Sequence, residues 1–226
     1  MGKSARMLGY AAAGIAIFAA GVGVGYDRWH RPPCPPPPAR QIEQMVDTRV
    51  LQVTQAAAAA GRVDFVVLGD SIAASVYLDS ACGRGFNAAV PAARIADVAG
   101  VAAAVLPKLR PHILLVAVGT NDLRAGDAGL AGFRQDYASL VAGLPAAQIL
   151  LMGVPNSAAA SADIERIARD RGFGYVPPVT GQGATIADGI HLTRAGAERF
   201  RSRIAAACGR ATTGPAGLQP PGQAPG

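Results

Sequence analysis

Cysteine and histidine are scarce in this chain. There are three of each in 226 residues, and none forms a closely spaced pair. Zinc sites draw on such pairs, so no metal centre is expected. Aromatic residues make up only 5%, and the net charge of +6 is unevenly placed. Residues 1–40 carry Lys3, Arg6, Arg28, Arg31 and Arg40 against Asp27, which leaves the body nearly neutral. A nucleic-acid footprint needs a basic stripe on the folded domain, so that class of partner is excluded. The glycine-rich "GVGVGY" at 21–26 follows no predicted strand and lacks a third properly spaced glycine, so it is not a dinucleotide loop and no cofactor is expected.

What the chain does have is 50% hydrophobic residues, ample for a buried core. The 20 residues from Met7 to Tyr26 carry no charge, and as a helix they would span a hydrocarbon core of about 30 Å. The expected organisation is therefore a short cytoplasmic N-terminus (1–6), a transmembrane helix (7–26), a Pro-rich stalk (27–40), a helical lead-in (41–61), one domain (62–210) and a disordered tail (211–226). Lys3 and Arg6 ahead of the apolar run place the domain on the periplasmic or extracellular side. The alternative is a cleaved signal peptide, which exports the domain equally. In the lead-in, Ile42, Met45, Val46, Val50 and Val53 recur at helical spacing. Their apolar face packs on the domain or on another copy of the chain, and the sequence leaves the oligomeric state open.

Within 62–210, short apolar runs alternate with amphipathic stretches. Strands are predicted at 64–69, 86–90, 112–119, 148–155 and 173–178, and helices at 93–109, 128–144, 161–172 and 193–208. The pattern predicts an α/β fold in three layers, α/β/α, with a mostly parallel sheet. In an exported domain Cys82 and Cys208 form a disulfide or remain two buried thiols.

Function in such sheets collects at the carboxyl ends of the strands. The first strand ends in Gly69-Asp70-Ser71, where Asp70 or Ser71 is a helix cap or Ser71 is a nucleophile. The middle strand ends in Gly119-Thr120-Asn121-Asp122. Asn121 can donate an amide N–H to an oxyanion and Asp122 can accept backbone N–H groups, although all are also ordinary turn residues. Of the histidines, His30 lies in the stalk and His112 starts a strand. His191 follows a glycine-containing loop just before the last helix, with Asp188 three positions earlier, a spacing that lets a carboxylate meet the imidazole.

Taken together and in this order, "GDS", "GTND" and "DGIH" resemble the SGNH (GDSL-type) hydrolases, over roughly residues 64–208. The resemblance implies a flavodoxin-like α/β/α domain acting on ester bonds, with Ser71 as nucleophile, His191 as general base and Asp188 orienting it. The oxyanion donors it implies are the Ser71 backbone, Asn121 and a second-block glycine. Here that block reads Asn87-Ala88-Ala89-Val90-Pro91-Ala92, with Ala92 in the glycine's place. If that backbone needs a positive φ, alanine adds strain of about 1 kcal/mol. Three functions follow: an esterase for short acyl or O-acetyl groups, an envelope O-acyltransferase with the same triad, and a catalytically silent binding module. The substrates in view are glycan O-acetyl groups, lysolipids and small esters.

Overall fold

The computed structural model describes residues 38–212 apart from 79, 126 and 147. The expected membrane segment at 7–26, most of the stalk with His30 and Cys34, and residues 213–226 of the tail lie outside the described residues. Among the described residues no helix is long and apolar enough to cross a membrane.

Five strands form one parallel sheet: β1 (Phe65–Gly69), β2 (Gly85–Asn87), β3 (Ile113–Ala117), β4 (Gln148–Met152) and β5 (Gly174–Val176), in the order β2-β1-β3-β4-β5. The register runs Val66↔Leu114, Leu114↔Ile149 and Leu151↔Tyr175. All five residues of β1 are buried, as befits a strand covered on both faces.

The two-residue period of the strands divides the core. Val66, Leu68, Leu114, Val116, Ile149 and Leu151 point to one face, while Phe65, Val67, Ile113, Leu115, Leu150 and Met152 point to the other. The first face is covered by α1 (Ala39–Ala60), α3 (Ile95–Leu109), α5 (Phe133–Ala142) and α6 (Ala158–Arg171). The second is covered by α7 (Arg194–Thr212) and the single turn α2 (Ser71–Ala74). This is the expected three-layer α/β/α arrangement.

The lead-in helix packs on the domain, against α3. Its seam is Val46, Val50, Val53 and Ala57, a strict helical repeat, and Met45 lies one step round the helix at 45% exposure rather than in the seam as expected. At its far end the Arg84 guanidinium donates to the carbonyl of Ala60, which the last turn leaves without a partner, and to that of Arg62 just beyond the helix.

Several expected elements are shorter than the sequence suggested, and β3, β4 and β5 stop at Ala117, Met152 and Val176 rather than at 119, 155 and 178. The helix expected at 128–144 is split into α4 (Asp127–Leu130) and α5, because Gly132 sits at φ +86°, outside helical space. The strand expected at 86–90 stops at Asn87, whose side chain bonds locally: Oδ1 accepts from Ala89 N–H while Nδ2 donates to Ala73 and Val76 O.

Cys82 and Cys208 are joined by a disulfide with a Cα–Cα distance of 5.8 Å, across 126 residues of sequence. It ties the segment after α2 to the closing helix. Closing so long a loop restricts the unfolded chain, so Cys208→Ser should lower the unfolding free energy by about 2–4 kcal/mol. Urea denaturation under non-reducing conditions reads this directly, and an unchanged midpoint would show that the cross-link does not hold the native state.

Candidate active site

Three strand ends and one loop meet at the carboxyl edge of the sheet. At the end of β1 the chain turns at once into α2. Asp70 caps that turn, its Oδ1 accepting from Ile72 N–H at 3.0 Å. Ser71 is the first residue of the turn and is half-buried at the rim.

The residue facing Ser71 arrives from 120 positions further on. Ser71 Oγ lies 2.9 Å from His191 Nε2, and His191 Nδ1 lies 2.6 Å from Asp188 Oδ2. The other Asp188 oxygen accepts the backbone N–H groups of Ile190 and His191, each at 2.9 Å. The carboxylate thus holds both the ring and the backbone of the same histidine. The imidazole hydrogen bond, helped by those two N–H groups, lowers the Asp188 pKa to about 2. With Asp188 ionised and accepting at Nδ1–H, the neutral imidazole has its free lone pair on Nε2, directed at Ser71.

The loop carrying this pair is folded back on itself. Ile186 N–H donates to His191 O, and Thr193 N–H donates to Ala184 O. Thr193 then caps α7 through Oγ1, which accepts from Gly196 N–H at 3.1 Å.

The segments 87–92 and 119–122, which carry the other residues of the quoted motifs, meet at the start of α3. Asn121 is buried, and its amide donates to Ala93 O at 2.9 Å. That bond occupies one amide hydrogen and orients the group, leaving the second. Asp122 accepts from Ile95 N–H at 3.2 and 3.3 Å, so the third block supplies the cap at the start of α3 that Arg94 does not. Burial raises the Asp122 pKa. Gly119 adopts φ +129° with the Phe133 ring and Val154 close against it. Among the described residues neither Ser71 N–H nor Ala92 N–H meets a protein acceptor.

Ala92 has φ +65°, one of two non-glycine residues in the left-handed region among those described. The strain anticipated for alanine at this place is therefore present. Residues that sequence reasoning passed over complete the rim. Asn87 ties the end of β2 to the Ser71 turn, and Asn156 donates to Thr120 O at 3.2 Å, bracing the 119–122 segment from the β4 side. Asn87 stood in the motif already quoted; the Asn156 contact spans 36 positions and leaves no local signature. His112 is exposed at the amino end of β3, at the opposite edge of the sheet, and takes no part. Among the described residues no group of acidic, histidine and cysteine side chains is placed to hold a metal ion.

The backbone strain makes a stability prediction. Ala92→Gly relieves about 1 kcal/mol at the left-handed position but frees the unfolded chain by a comparable amount. The unfolding free energy should rise by no more than about 1 kcal/mol. A clear loss in urea denaturation would mean that the methyl group packs usefully.

No family model matches the chain, and no curated protein matches it by sequence. Solved structures do match its fold. A GDSL-like lipase from Bacteroides thetaiotaomicron is 16% identical and superposes with a TM-score of 0.56 over 72% of this chain and 98% of that one. An acetyl xylan esterase from Geobacillus stearothermophilus gives 15% identity and a TM-score of 0.53, covering 66% and 94%. A structure of TesA gives 24% identity and a TM-score of 0.52, covering 64% and 97%. The chain has the fold of the SGNH (GDSL-type) hydrolases.

Proposed function

We propose that the protein is a serine esterase that cleaves carboxylic esters through an acyl-enzyme on Ser71. The observation that carries this reading is the continuous relay Ser71 Oγ, His191 Nε2, His191 Nδ1 and Asp188 Oδ2, at 2.9 and 2.6 Å, on the carboxyl rim of a parallel sheet. Ser71 Oγ attacks the ester carbonyl as His191 Nε2 takes its proton, and Asp188 stabilises the imidazolium formed. The carbonyl oxygen becomes an oxyanion, received by Ser71 N–H, Ala92 N–H and the second hydrogen of the Asn121 amide. Collapse expels the alcohol, protonated by His191. Water then attacks the acyl-enzyme with His191 as base again, releasing the acid and restoring Ser71.

The acyl group is short. Side chains of His191 and Asp188 are 37% and 40% exposed, so the site is open rather than roofed, and the Ala92 methyl stands where a glycine would leave more room. An open rim of this kind suits an O-acetyl group on a bulky alcohol such as a glycan. Acetyl xylan esterase among the structures of like fold is in keeping with that class. The uncharged run at 7–26 with Lys3 and Arg6 before it supports a domain held by a membrane anchor on the outer side.

The test is hydrolysis of p-nitrophenyl acetate by the full-length chain in detergent, beside Ser71→Ala and His191→Ala. Each variant should lose about 10⁴-fold or more in kcat while keeping its far-UV circular dichroism. Equal, near-background rates in folded wild type and variants would overturn the esterase reading.

A further inference from the structure

The nucleophile's neighbour is a buried carboxylic acid that the mechanism above does not use. Asp70 is 1% exposed. One oxygen caps α2, but Oδ2 has no hydrogen-bond partner, the one such buried side-chain atom among the described residues. Thr120 lies against the same carboxylate, and its hydroxyl and backbone N–H favour the ionised form. The carboxylate borders a cavity of about 20 Å³, walled by Met152, Val179, Leu192 and Phe200. That space is too small for a substrate, so Asp70 acts on the reaction only through other residues.

The cavity lies largely on the α7 face of the sheet, where Leu192 follows His191 and packs with Ile72 and Phe200. A negative charge on Asp70 and a positive charge on His191 attract each other. The attraction acts through apolar surroundings that screen little.

We propose that Asp70 is a positioning residue that holds a buried negative charge behind the Ser71–His191 pair and assists the proton transfer to His191. The proposal rests on the esterase reading. Burial, against the lowering effect of its hydrogen bonds, pushes the Asp70 pKa up to about 6. The other titratable groups whose charge reaches it are His191, from the loop before α7, and Tyr137, from α5. Tyr137 is fully buried, which raises its pKa and keeps it neutral.

The sign of the pH dependence follows. A carboxyl whose folded pKa lies above its unfolded value of 3.8 contributes stability in full below that value. The contribution is lost as pH rises through about 6, where the folded group ionises. Stability falls over the range in which the assisting charge appears.

The experiment compares the full-length wild type with Asp70→Asn and Asp70→Ser, both neutral and both able to accept the Ile72 N–H. Two quantities are followed. One is the rate of Ser71 labelling by a p-nitrophenyl phosphonate from pH 5 to 8, and the other is the urea midpoint from pH 4 to 8. Wild type should react about tenfold faster than either variant at pH 8, with the ratio falling towards one at pH 5. Its urea midpoint should fall relative to the variants from about pH 4 to about 6 and level off above. A ratio that is the same at every pH would show a purely structural role and overturn the proposal, as would parallel urea profiles. No labelling of Ser71 in wild type would overturn the esterase reading and this proposal with it, so the two failures are distinct.

Discussion

The site hangs on how closely β1, β3 and the nucleophile turn approach one another at Gly69. A Cβ at that position would stand 2.6 Å from Ala117 O and 2.8 Å from Ala73 Cβ, closer than non-bonded atoms tolerate. The backbone atom of β3 cannot move without breaking its ladder, so the first position after the strand core must carry no side chain. Asp70 N–H still donates to Ala117 O at 3.2 Å, so the sheet's hydrogen bonding continues one residue past the strand. The chain then leaves in a single helical turn. Ser71 is consequently fixed by main-chain geometry, with its hydroxyl at the rim and its own N–H unclaimed.

The surrounding loops are held by side chains that satisfy the backbone of a neighbouring loop rather than their own. Asn87 spans from β2 to the carbonyls of Ala73 in α2 and Val76 beyond it, Asn121 from the end of β3 to Ala93, Asp122 to the first turn of α3, and Asn156 from beyond β4 to Thr120. Each such bond removes an unpaired buried group that would otherwise cost about 1–3 kcal/mol. Each also fixes the distance between two segments that are far apart in sequence. The same amides and carboxylates that serve as ordinary turn formers in isolation become, in this setting, the struts of the rim. The Asn121 bond to Ala93 O also sets the plane of its amide and leaves the second hydrogen unused by that bond.

Much of this was legible in the sequence because it rests on short-range patterns. The strand at 64–69, the helix at 93–109 and the closing helix from Arg194 follow from apolar periodicity and turn residues, and the Asp188–His191 spacing is local enough to anticipate their contact. The break at Gly132 was not anticipated, since glycine within an amphipathic run is compatible with a continuing helix until the backbone takes a positive φ. Met45 was misplaced for a related reason: it neighbours Val46 in the apolar pattern, and only packing against α3 decides which of the two faces inward. Ala92 was recognisable as a substitution, but its left-handed backbone comes from the path between β2 and α3, not from any preference of alanine. The Asn156 brace and the unpaired oxygen of Asp70 depend wholly on tertiary placement.

Two carboxylates near Ser71 show how one rim produces opposite acidities. Asp188 is exposed, yet three N–H groups stabilise its ionised form and hold its pKa at about 2. Asp70 is buried, and desolvation outweighs its hydrogen bonds, raising its pKa to about 6. Both carboxylates are stabilised by neighbouring donors; burial, which dominates at Asp70 and hardly touches Asp188, separates the two. What Asp70 supplies is charge at a fixed place, and a carboxylate buried beside Ser71 opposes stability wherever it is ionised. A residue with that balance is intelligible through its effect on Ser71 and His191, whereas capping alone needs only the oxygen already bonded to Ile72.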